Sequence, residues 1–471
     1  MRGVCAVILA AGEGTRMRSR VAKVLHPLLG RPMVHYPVDL CLRLGVKRVL
    51  MVVAYQAEEV KNVLAGRPVE FIHQGEPIGT AHALLQTEEV LRGFEGSLLV
   101  LAGDTPLLRE GTVRQLVEAH RSADAVATIL TTRVDNPAGY GRIIRDRDGR
   151  LLRIVEEVEA KEKEKRVNEI NSGIYCFSCP PLFQALKRVQ VSQVKGEFFL
   201  PEVVKVFVEQ GQQVHTLLSP DANEVLGINT RAELARALTV LRQRVHERLM
   251  ESGVTLLDPQ VTYIDDSVQI GRDTVIYPGV FLEGATTIGE GCLIYSNCRI
   301  QSSHLGDGVT VLDGSVILAS DIAEGCIIGP YAHLRPHSRL RRKAKVGNFC
   351  EVKKSVIGEG SKVPHLAYIG DAIIGEKVNI GAGTITCNYD GFAKHETTIE
   401  DHVFVGSNTN LVAPVKVGRG AIIAAGSTIT EEVPPDAVAF GRAQQVNKEG
   451  RAAETRKKRQ AIAPSKEADD D

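Results

Sequence analysis

Arg335 and Lys353 are two cations placed eighteen residues apart, and each directly follows an aliphatic residue, Leu334 or Val352. If eighteen residues form one coil of a stacked structure, the two side chains lie one above the other, at the strand spacing of about 4.8 Å. Stacked cations repel each other unless an anion lies between them. The pair therefore predicts a phosphate site, which we favour over an accidental basic face.

His365 is a candidate general base on the following coil. Histidine accepts a proton near neutral pH without special tuning. The count of eighteen places His365 above Gly347, with open space beneath the imidazole, and near Glu351, whose carboxylate would raise the basicity of the ring and fix its tautomer. A lone histidine is more often structural than catalytic. Here, however, a segment at 387–394 interrupts the repeat, and insertions in a solenoid often mark its binding side.

The same count predicts that Arg335, Lys353 and His365 lie on one wall of the stack, facing a neighbouring subunit. Ser407 and Ala425 are also eighteen residues apart. Their small side chains would leave a groove in which an extended ligand can lie.

A second candidate site begins near the N-terminus. Residues 4–9 (VCAVIL) predict a buried strand, and the loop at 10–17 that follows is rich in small residues. Small residues let backbone N–H groups close on a phosphate, and Arg16 can supply positive charge. Such a loop is a weak signal by itself, because it also occurs as a plain tight turn.

Asp104 follows the strand-like residues 97–102 (SLLVLA). Ligands of open α/β sheets bind at the carboxyl ends of strands. A carboxylate at that edge is a plausible Mg²⁺ ligand, because Mg²⁺ takes one or two carboxylates and leaves room for phosphate oxygens and water. The alternative is that Asp104 caps the next helix, and the motif alone does not decide between the two.

The element that positions the first group of residues is a ladder of aliphatic residues spaced by six, often followed by Gly. A period of six fits short strands joined by tight turns, three to a coil, which is the signature of a parallel β-helix of hexapeptides. We expect it over most of 262–434. The ladder runs through Ile264, Ile270, Ile276, Leu282, Ile288, Ile294 and Ile300, then Ile322, Ile328, Leu334, Leu340, Val346 and Val352, then Ile399, Val405, Leu411, Val417, Ile423 and Ile429.

The N-terminal part alternates strand-like and helical segments and predicts a Rossmann-like α/β domain over 1–229. Residues 230–252 predict a long amphipathic linker helix, with Thr230 and Glu233 as a capping box. The β-helix domain is expected at 253–445. Residues 446–471 are charged and lack apolar rhythm, so we expect a disordered tail.

Composition narrows the class of protein. Lys plus Arg and Asp plus Glu number 57 each, which argues against a nucleic-acid or membrane-surface partner. The chain has no apolar run of membrane-spanning length and no signal-peptide core. Nine scattered cysteines fit a reducing compartment. We therefore expect a cytoplasmic protein.

The octet Ala10-Ala11-Gly12-Glu13-Gly14-Thr15-Arg16-Met17, with Lys23 after it, resembles the entry loop of sugar-phosphate nucleotidyltransferases. Members usually carry Lys where this chain has Glu13 and Pro where it has Ala22. The resemblance implies three sets of residues. They are nucleotide-binding Leu9, Ala10, Ala11, Gly12, Lys23, Gln74, Gly79 and Thr80, sugar-binding Gly141, Glu156, Asn171 and Asn229, and the Mg²⁺ ligands Asp104 and Asn229.

The ladder resembles the left-handed β-helix of hexapeptide acyltransferases, which associate as trimers. Over 4–445, both domains resemble the bacterial bifunctional N-acetylglucosamine-1-phosphate uridyltransferases and glucosamine-1-phosphate acetyltransferases. Pro364, where Gly is usual, departs from that pattern. The motifs of the second domain are Leu334-Arg335-Pro336, Val346-Gly347-Asn348, Glu351-Val352-Lys353-Lys354, His365-Leu366, Tyr368, Gly370-Asp371, Asn379 to Thr384 and Asn388 to Gly391.

This second resemblance implies acetyl transfer from acetyl-CoA to glucosamine 1-phosphate, then uridyl transfer from UTP to N-acetylglucosamine 1-phosphate, in a homotrimer. His365 would be the acetyl-transfer base, while Arg16 and Lys23 would assist uridyl transfer. The other implied residues are Arg335, Lys353, Tyr368, Asn379 and Lys394 for the sugar phosphate, and Asn388, Tyr389, Ser407, Ala425 and Arg442 for acetyl-CoA.

Two other functions remain open from the sequence. One is a single-activity sugar-1-phosphate nucleotidyltransferase whose β-helix only assembles or regulates. The other is a trimeric scaffold without chemistry, which has no use for Asp104 or Arg16.

Overall fold

The structure is a computed structural model that describes residues 1–194 and 196–462. The chain forms two compact units. Unit 1 comprises Met1–Ser252, Tyr263–Val268 and Leu282–Gly284, and unit 2 comprises Gly253–Thr262, Gln269–Phe281 and the chain from Ala285 onwards. The long helix belongs to unit 1. The predicted domain bounds of 1–229, 230–252 and 253–445 remain a prediction.

Unit 1 is built on a mixed sheet with helices on its faces. In the order of the sheet, its main strands are β11-β7-β10-β6-β1-β4-β5, with β8 paired to β10 and β9 paired to β8. The strands of unit 1 within the first 220 residues are β1 Val4–Leu9, β2 Pro27–Leu28, β3 Arg31–Pro32, β4 Arg48–Val53, β5 Glu70–His73, β6 Ser97–Ala102, β7 Ala127–Arg133, β8 Arg142–Arg145, β9 Leu151–Val155, β10 Glu169–Ser178 and β11 Val214–Ser219.

The central strands β1, β4 and β6 are parallel and carry almost wholly buried aliphatic runs, as expected for strands covered on both faces. Their carboxyl ends meet at one edge, where the predicted phosphate loop and Asp104 follow β1 and β6. The α-helices of unit 1 are α1 His35–Arg43, α2 Ala57–Val63, α3 Thr80–Leu85, α4 Glu110–Ser122, α5 Glu162–Lys165, α6 Cys179–Leu186, α7 Glu202–Glu209 and α8 Arg231–Glu251.

Helix α8 confirms the predicted long helix and its capping box. The Thr230 hydroxyl accepts from the backbone N–H of Glu233, and the Glu233 carboxylate accepts from the backbone N–H of Thr230. One stripe of α8 is buried, including Ala237, Leu241 and Val245, as the amphipathic pattern requires.

Unit 2 is a stack of short parallel strands in three sheets, consistent with the predicted left-handed β-helix. The first sheet contains Thr255–Leu256, Val275–Ile276, Leu293–Ile294, Thr310–Val311, Ile327–Ile328, Lys345–Asn348, Lys362–His365, Asn379–Ile380, Phe404–Val405, Ile422–Ile423 and Val438–Ala439. The second, taken from residue 299 onwards, contains Arg299–Gln301, Val316–Leu318, His333–Leu334, Glu351–Lys353, Tyr368–Gly370, Ile385–Cys387, Asn410–Val412 and Thr428–Ile429.

The third sheet contains Gln269–Ile270, Thr287–Ile288, His304–Leu305, Asp321–Ile322, Arg339–Leu340, Val356–Ile357, Ala372–Ile374, Thr397–Ile399 and Val415–Val417. Two further short strands, Tyr263–Ile264 and Phe281–Glu283, come before Arg299–Gln301 in the order of the second sheet.

The ladder residues are buried apart from the half-buried Ile270, but the step between them is not always six. Four steps have five residues: Ile300 to Leu305, Ile317 to Ile322, Val352 to Ile357 and Ile369 to Ile374, and all eight of these residues are buried. These short steps occur at the corner between the second and third sheets, so some coils contain seventeen residues. The apparent break of the ladder after Ile300 is therefore a change of step and not an end of the β-helix.

The prediction of a disordered tail is wrong for Arg451–Ile462, which form helix α9 with every residue exposed. Ala, Arg, Glu and Lys dominate this segment, and they favour a helix without packing. Arg451 also pairs with Glu454 one turn later at 3.1 Å. Residues 463–471, at the end of the predicted tail, lie outside the described residues. Within 1–194 and 196–462, no helix is long and apolar enough to cross a membrane.

Candidate active sites

A cavity of about 580 Å³ lies in unit 1 and collects most residues that the sequence assigned to nucleotide and sugar binding. It is bordered by the loop after β1, the start of α3, the end of β6 and the strand β10. The predicted residues that line it are Leu9, Ala11, Gly12, Lys23, Gln74, Gly79, Thr80, Asp104, Glu156 and Asn171.

Lys23 lies at the centre of the polar part of this cavity. Its ammonium forms an ion pair with the Asp104 carboxylate and donates to the Asn229 side-chain oxygen at 3.1 Å. Both Lys23 and Asp104 side chains are only 15% exposed. Asp104 and Asn229, which are far apart in the sequence, thus both contact the Lys23 ammonium. Asn229 does not itself line the cavity.

Asp104 does not cap a helix, because the next helix, α4, begins six residues later at Glu110 with Arg109 as its N-cap. The backbone confirms that Asp104 and the Asn229 segment are neighbours, since Ile228 N–H donates to the Asp104 carbonyl at 3.0 Å. One carboxylate and one amide oxygen are hard donors, which suit a divalent cation that keeps most of its shell for water and phosphate. The side chains present therefore fit the expected metal.

The loop after β1 needs glycine where it passes Lys23. Gly14 has φ +74°, and a Cβ there would lie 2.5 Å from the Cβ of Lys23. Two predicted residues of this loop do not face the cavity. Ala10 is buried and its N–H donates to the Val52 carbonyl, so it extends the sheet. Arg16 is exposed on the short 3₁₀ turn Thr15–Met17, and only the first residue of that turn, Thr15, lines the cavity.

Gln74 is buried between the cavity and α3. Its side-chain nitrogen donates to the Gly79 carbonyl at 3.1 Å and lies 3.3 Å from Nδ1 of His82. These contacts fix the amide plane. Gln74 can thus present a fixed edge to a planar base.

The predicted sugar-binding residues lie beside one another. A Cβ on Gly141 would lie 3.1 Å from Oε1 of Glu156 and 3.5 Å from Cβ of Asn171, so the absent side chain leaves room for both. Sequence reasoning missed Tyr175, whose hydroxyl accepts a hydrogen bond of 2.7 Å from Asn171. It also missed the segment 197–201, of which Glu197, Phe199, Leu200 and Pro201 line the cavity. From the sequence alone, an aromatic residue in a buried strand, such as Tyr175, cannot be distinguished from an ordinary core residue.

In unit 2, Arg335 directly follows the strand His333–Leu334, and Lys353 ends the next strand of the second sheet, Glu351–Lys353. Leu334 pairs with Val352, as the count of eighteen predicted. Arg335 pairs with Glu351 at 2.9 Å. The pKa of Lys353 is lowered chiefly by the neighbouring Lys394 amine and also by the charge of Arg335. Three cations thus act on one another at a solvent-exposed position, where an anion would relieve their repulsion.

The predicted position of His365 is wrong by one residue. Asn348, not Gly347, lies directly below His365, because Val346 pairs with Val363 seventeen residues later. His365 Nδ1 lies 2.6 Å from Oδ1 of Asn348, so Asn348 and not Glu351 orients the ring. Glu351 is instead the partner of Arg335.

The prediction that Arg335, Lys353 and His365 share one wall is wrong in its simple form. His365 ends a strand of the first sheet, at the corner that leads into the second sheet, whereas Lys353 ends a strand of the second sheet and Arg335 directly follows one. Asn379 also lies on the first sheet, in register with Lys362. The candidate acetyl site therefore spans a corner and the adjoining face.

A buried polar cluster adjoins the cations. The Asn388 side-chain nitrogen donates to Asp371 at 2.5 Å and lies 3.5 Å from the Tyr368 hydroxyl. Lys354 lies 3.5 Å from the same Asp371 carboxylate. Asp371 was part of a sequence motif but was not assigned a role, and its function here is to hold the Asn388 amide.

The predicted loop that interrupts the ladder is confirmed. Thr386 takes the buried ladder position opposite Leu411, and the chain leaves the stack after Cys387, the last residue of that strand. A bridge between Tyr389 and Lys394 closes the loop, and Asp390 accepts from the backbone N–H groups of Phe392 and Ala393. Those bonds, with the His395 contact, hold the pKa of Asp390 well below its usual range. These contacts hold the loop backbone in place and so fix the position from which the Lys394 side chain extends.

Ser407 and Ala425 lie on neighbouring coils, with Val405 paired to Ile423 two residues before them. The Arg442 side chain passes close to Gly426, where an added Cβ would lie 4.0 Å from its Cδ. These three of the five residues predicted for acetyl-CoA thus adjoin each other near the C-terminal end of the stack.

A further cavity of about 570 Å³ follows the third sheet, with His304, Asp321 and Arg339 among its lining residues. It contains none of the predicted site residues. Among the described residues, no group of three or more His, Cys, Asp or Glu side chains is arranged to hold a metal ion.

Comparison with known proteins covers nearly the whole chain. Residues 5–223 match the nucleotidyl transferase family model, 285–319 match the hexapeptide repeat of succinyl-transferase, and 396–431 match the bacterial transferase hexapeptide model of six repeats.

Three relatives are each named bifunctional protein GlmU. The chain is 50% identical over 447 residues to the one from Listeria innocua, covering 95% of this chain and 97% of the relative. It is 49% identical to that of a Geobacillus strain (94% and 96% covered) and 48% identical to that of Geotalea uraniireducens (96% and 99% covered).

Proposed function

The chain belongs to the family of bifunctional GlmU proteins, and we propose that its two units carry out two successive group transfers. Unit 2 transfers the acetyl group of acetyl-CoA to the amine of glucosamine 1-phosphate. Unit 1 transfers the uridyl group of UTP to the phosphate of the N-acetylglucosamine 1-phosphate so formed. The product, UDP-N-acetylglucosamine, is the activated sugar for peptidoglycan and lipopolysaccharide synthesis.

His365 acts as the base of acetyl transfer. With the Asn348 oxygen facing Nδ1, that nitrogen carries the ring proton and Nε2 keeps its lone pair. Nε2 takes a proton from the substrate ammonium, and the free amine attacks the thioester carbon. The C–N bond forms, the C–S bond breaks, and the sulfur leaves as the thiol of CoA after protonation.

The cations Arg335, Lys353 and Lys394 bind the sugar phosphate, with Tyr368 and Asn379 assisting. The electrostatic coupling of Lys353 to Lys394 and Arg335 supports this assignment. Asn388 and Tyr389 border the reacting acetyl group, and Ser407, Ala425 and Arg442 contact the rest of acetyl-CoA.

Uridyl transfer needs no covalent protein intermediate. A phosphate oxygen of the sugar attacks the α-phosphorus of UTP, the new P–O bond forms, and the bond to the β-phosphate oxygen breaks to release pyrophosphate. Gln74, Gly79 and Thr80 hold the base, and Gly141, Glu156 and Asn171 hold the sugar. Positioning and neutralisation of charge by Lys23 and Arg16 supply the rate enhancement.

The family uses a divalent metal, and we assign Mg²⁺ to Asp104 and Asn229. When bound, it neutralises the negative charge of the phosphates. We further propose a cytoplasmic homotrimer, because the acetyl site lies on an exposed corner and face of the β-helix, which a neighbouring copy can complete.

The observation that carries the uridyl half is the convergence of Lys23 on Asp104 and Asn229 beside a cavity lined by ten predicted residues. The test is to assay the purified protein for acetyl-CoA consumption with glucosamine 1-phosphate, and separately for pyrophosphate release with UTP and N-acetylglucosamine 1-phosphate. Both reactions are expected. Pyrophosphate release without acetyl-CoA consumption would favour the single-activity alternative, and neither reaction would favour the scaffold.

A further inference from the structure

Gln56 clamps the backbone that precedes Lys23. The backbone N–H of Ala22 donates to Oε1 of Gln56 at 2.6 Å, and Nε2 of Gln56 donates to the Arg20 carbonyl at 3.0 Å. The orientation of the amide follows from chemistry, because an N–H must face the oxygen and a carbonyl must face the NH₂ group. One side chain therefore holds the chain on both sides of Val21.

Ala22 is held in a conformation that a proline ring would impose. Its φ of −54° and ψ of 140° lie in the extended region open to proline. Alanine has no ring to fix φ, and it exposes an N–H that proline lacks. Gln56 satisfies that N–H, so the hydrogen bond restricts the same backbone segment that a ring would restrict.

Gln56 itself adopts a left-handed backbone conformation, φ 49° and ψ 44°, directly before helix α2. This conformation is unfavourable for a residue with a Cβ. Glycine or asparagine would fit the backbone better, but neither reaches as far with an amide. The position thus retains a long amide side chain at a conformational cost.

The backbone position that Gln56 fixes is connected to the candidate active site through Lys23. Lys23 follows Ala22 directly and begins the 3₁₀ turn Lys23–Leu25, whose first hydrogen bond runs from Leu25 N–H to the Ala22 carbonyl. The direction in which the Lys23 side chain leaves the backbone therefore depends on Ala22. From there its ammonium reaches Asp104 and Asn229.

We propose that Gln56 is a positioning residue for uridyl transfer, which acts by fixing Ala22 and so aiming the Lys23 ammonium into the cavity. This inference rests on the proposed uridyl transfer in unit 1. Gln56 is not among the residues that line the cavity, so its effect passes through Ala22 and Lys23 and not through substrate contact.

The experiment measures kcat and KM of uridyl transfer in Gln56→Leu, which keeps the bulk and removes both hydrogen bonds, and in Gln56→Glu, which keeps the acceptor for Ala22. Gln243→Leu is the matched control, since Gln243 is an exposed glutamine of the same unit that bonds only to Glu247 at 2.9 Å among the contacts described. Gln56→Leu is expected to lower kcat/KM by about two- to tenfold, the range for the one hydrogen bond, with Ala22, through which the proposed positioning acts. Gln56→Glu should lose less, and acetyl transfer should be unchanged in all three variants.

Two backgrounds separate positioning from a merely structural role. In Ala22→Pro the N–H is absent and φ is fixed, so Gln56→Leu should cost less than twofold there. In Lys23→Ala, Gln56→Leu should add no further loss. If Gln56→Leu lowers the melting temperature, restored uridyl transfer in the Ala22→Pro, Gln56→Leu double variant supports the proposal, and continued loss overturns it.

An equal loss from Gln56→Leu in all backgrounds, or an effect no larger than that of Gln243→Leu, would also overturn the proposal. Absence of uridyl transfer from the unmodified protein would instead refute the proposed function, so the two failures are distinguishable.

Discussion

His365 Nδ1 lies 2.6 Å from the Asn348 side-chain oxygen, one coil below and seventeen residues earlier in the chain. This contact leaves Nε2 as the nitrogen that can accept a proton. It also ties the proposed base to the first sheet of the β-helix and not to the carboxylate of Glu351.

Asn348→Leu should lower kcat of acetyl transfer by roughly tenfold, because the ring loses the hydrogen bond that fixes its tautomer and orientation. Uridyl transfer should not change. Asn348→Asp places a carboxylate beside the ring and stabilises the imidazolium, so the acidic limb of the pH–rate profile should move to higher pH. Unchanged acetyl kinetics in both variants would mean that Asn348 does not orient the base.

Binding of glucosamine 1-phosphate should depend on the ionisation of Lys353. Its pKa is lowered by Lys394 and Arg335, so Lys353 loses its charge at a lower pH than an isolated lysine, and affinity should fall as pH rises through that lowered pKa. In Lys394→Met the pKa of Lys353 should return towards its ordinary value, and the fall should move to higher pH. Calorimetric titration between pH 7 and 10.5 in both proteins measures this, and identical profiles would contradict the assignment.

Gly347→Ala should disturb the coil that carries His365. A Cβ there would lie 1.9 Å from the carbonyl oxygen of Pro364, which is backbone and cannot move alone. Overpacking of this kind costs about 1–3 kcal/mol, and acetyl transfer should fall with stability. Gly111→Ala is the control, since a Cβ at Gly111 in helix α4 meets nothing within 4 Å. A Gly347→Ala protein with unchanged melting temperature and activity would contradict the register of this coil.

Removal of divalent metal should separate the two reactions. Chelation should abolish uridyl transfer, because the phosphates lose the charge neutralisation held at Asp104 and Asn229, and added Mg²⁺ should restore it. Acetyl transfer should be unaffected, since its proposed residues include no metal ligand. If chelation abolished acetyl transfer while the protein stayed folded, unit 2 would also depend on a metal, which would contradict the assignment of the metal to unit 1.

The sequence predicted the stacking of Arg335 on Lys353 because the step from Leu334 to Val352 is eighteen residues. It misplaced His365 because the step from Val346 to Val363 is seventeen. The corner between Val352 and Ile357 is one residue short, as it is between Ile300 and Leu305, and the prediction assumed six at every corner. A spacing rule fixes a register only as long as every corner has the same length.

Contacts between distant segments were the other limit. Family motifs placed Lys23, Asp104 and Asn229 in one site, and the structure brings the three together. No local pattern pointed to Gln56, whose role depends on a hydrogen bond across 34 residues, or to Tyr175, which reads as core of a buried strand. The helix Arg451–Ile462 has no buried residue, so it carries no periodic apolar pattern from which a helix could be predicted.

The most direct test of the division of labour is to measure both reactions in Asp104→Asn and in His365→Ala. Asp104→Asn should abolish uridyl transfer and leave acetyl transfer intact, and His365→Ala should do the reverse. Loss of both activities from either single, folded variant would contradict the assignment of one reaction to each unit.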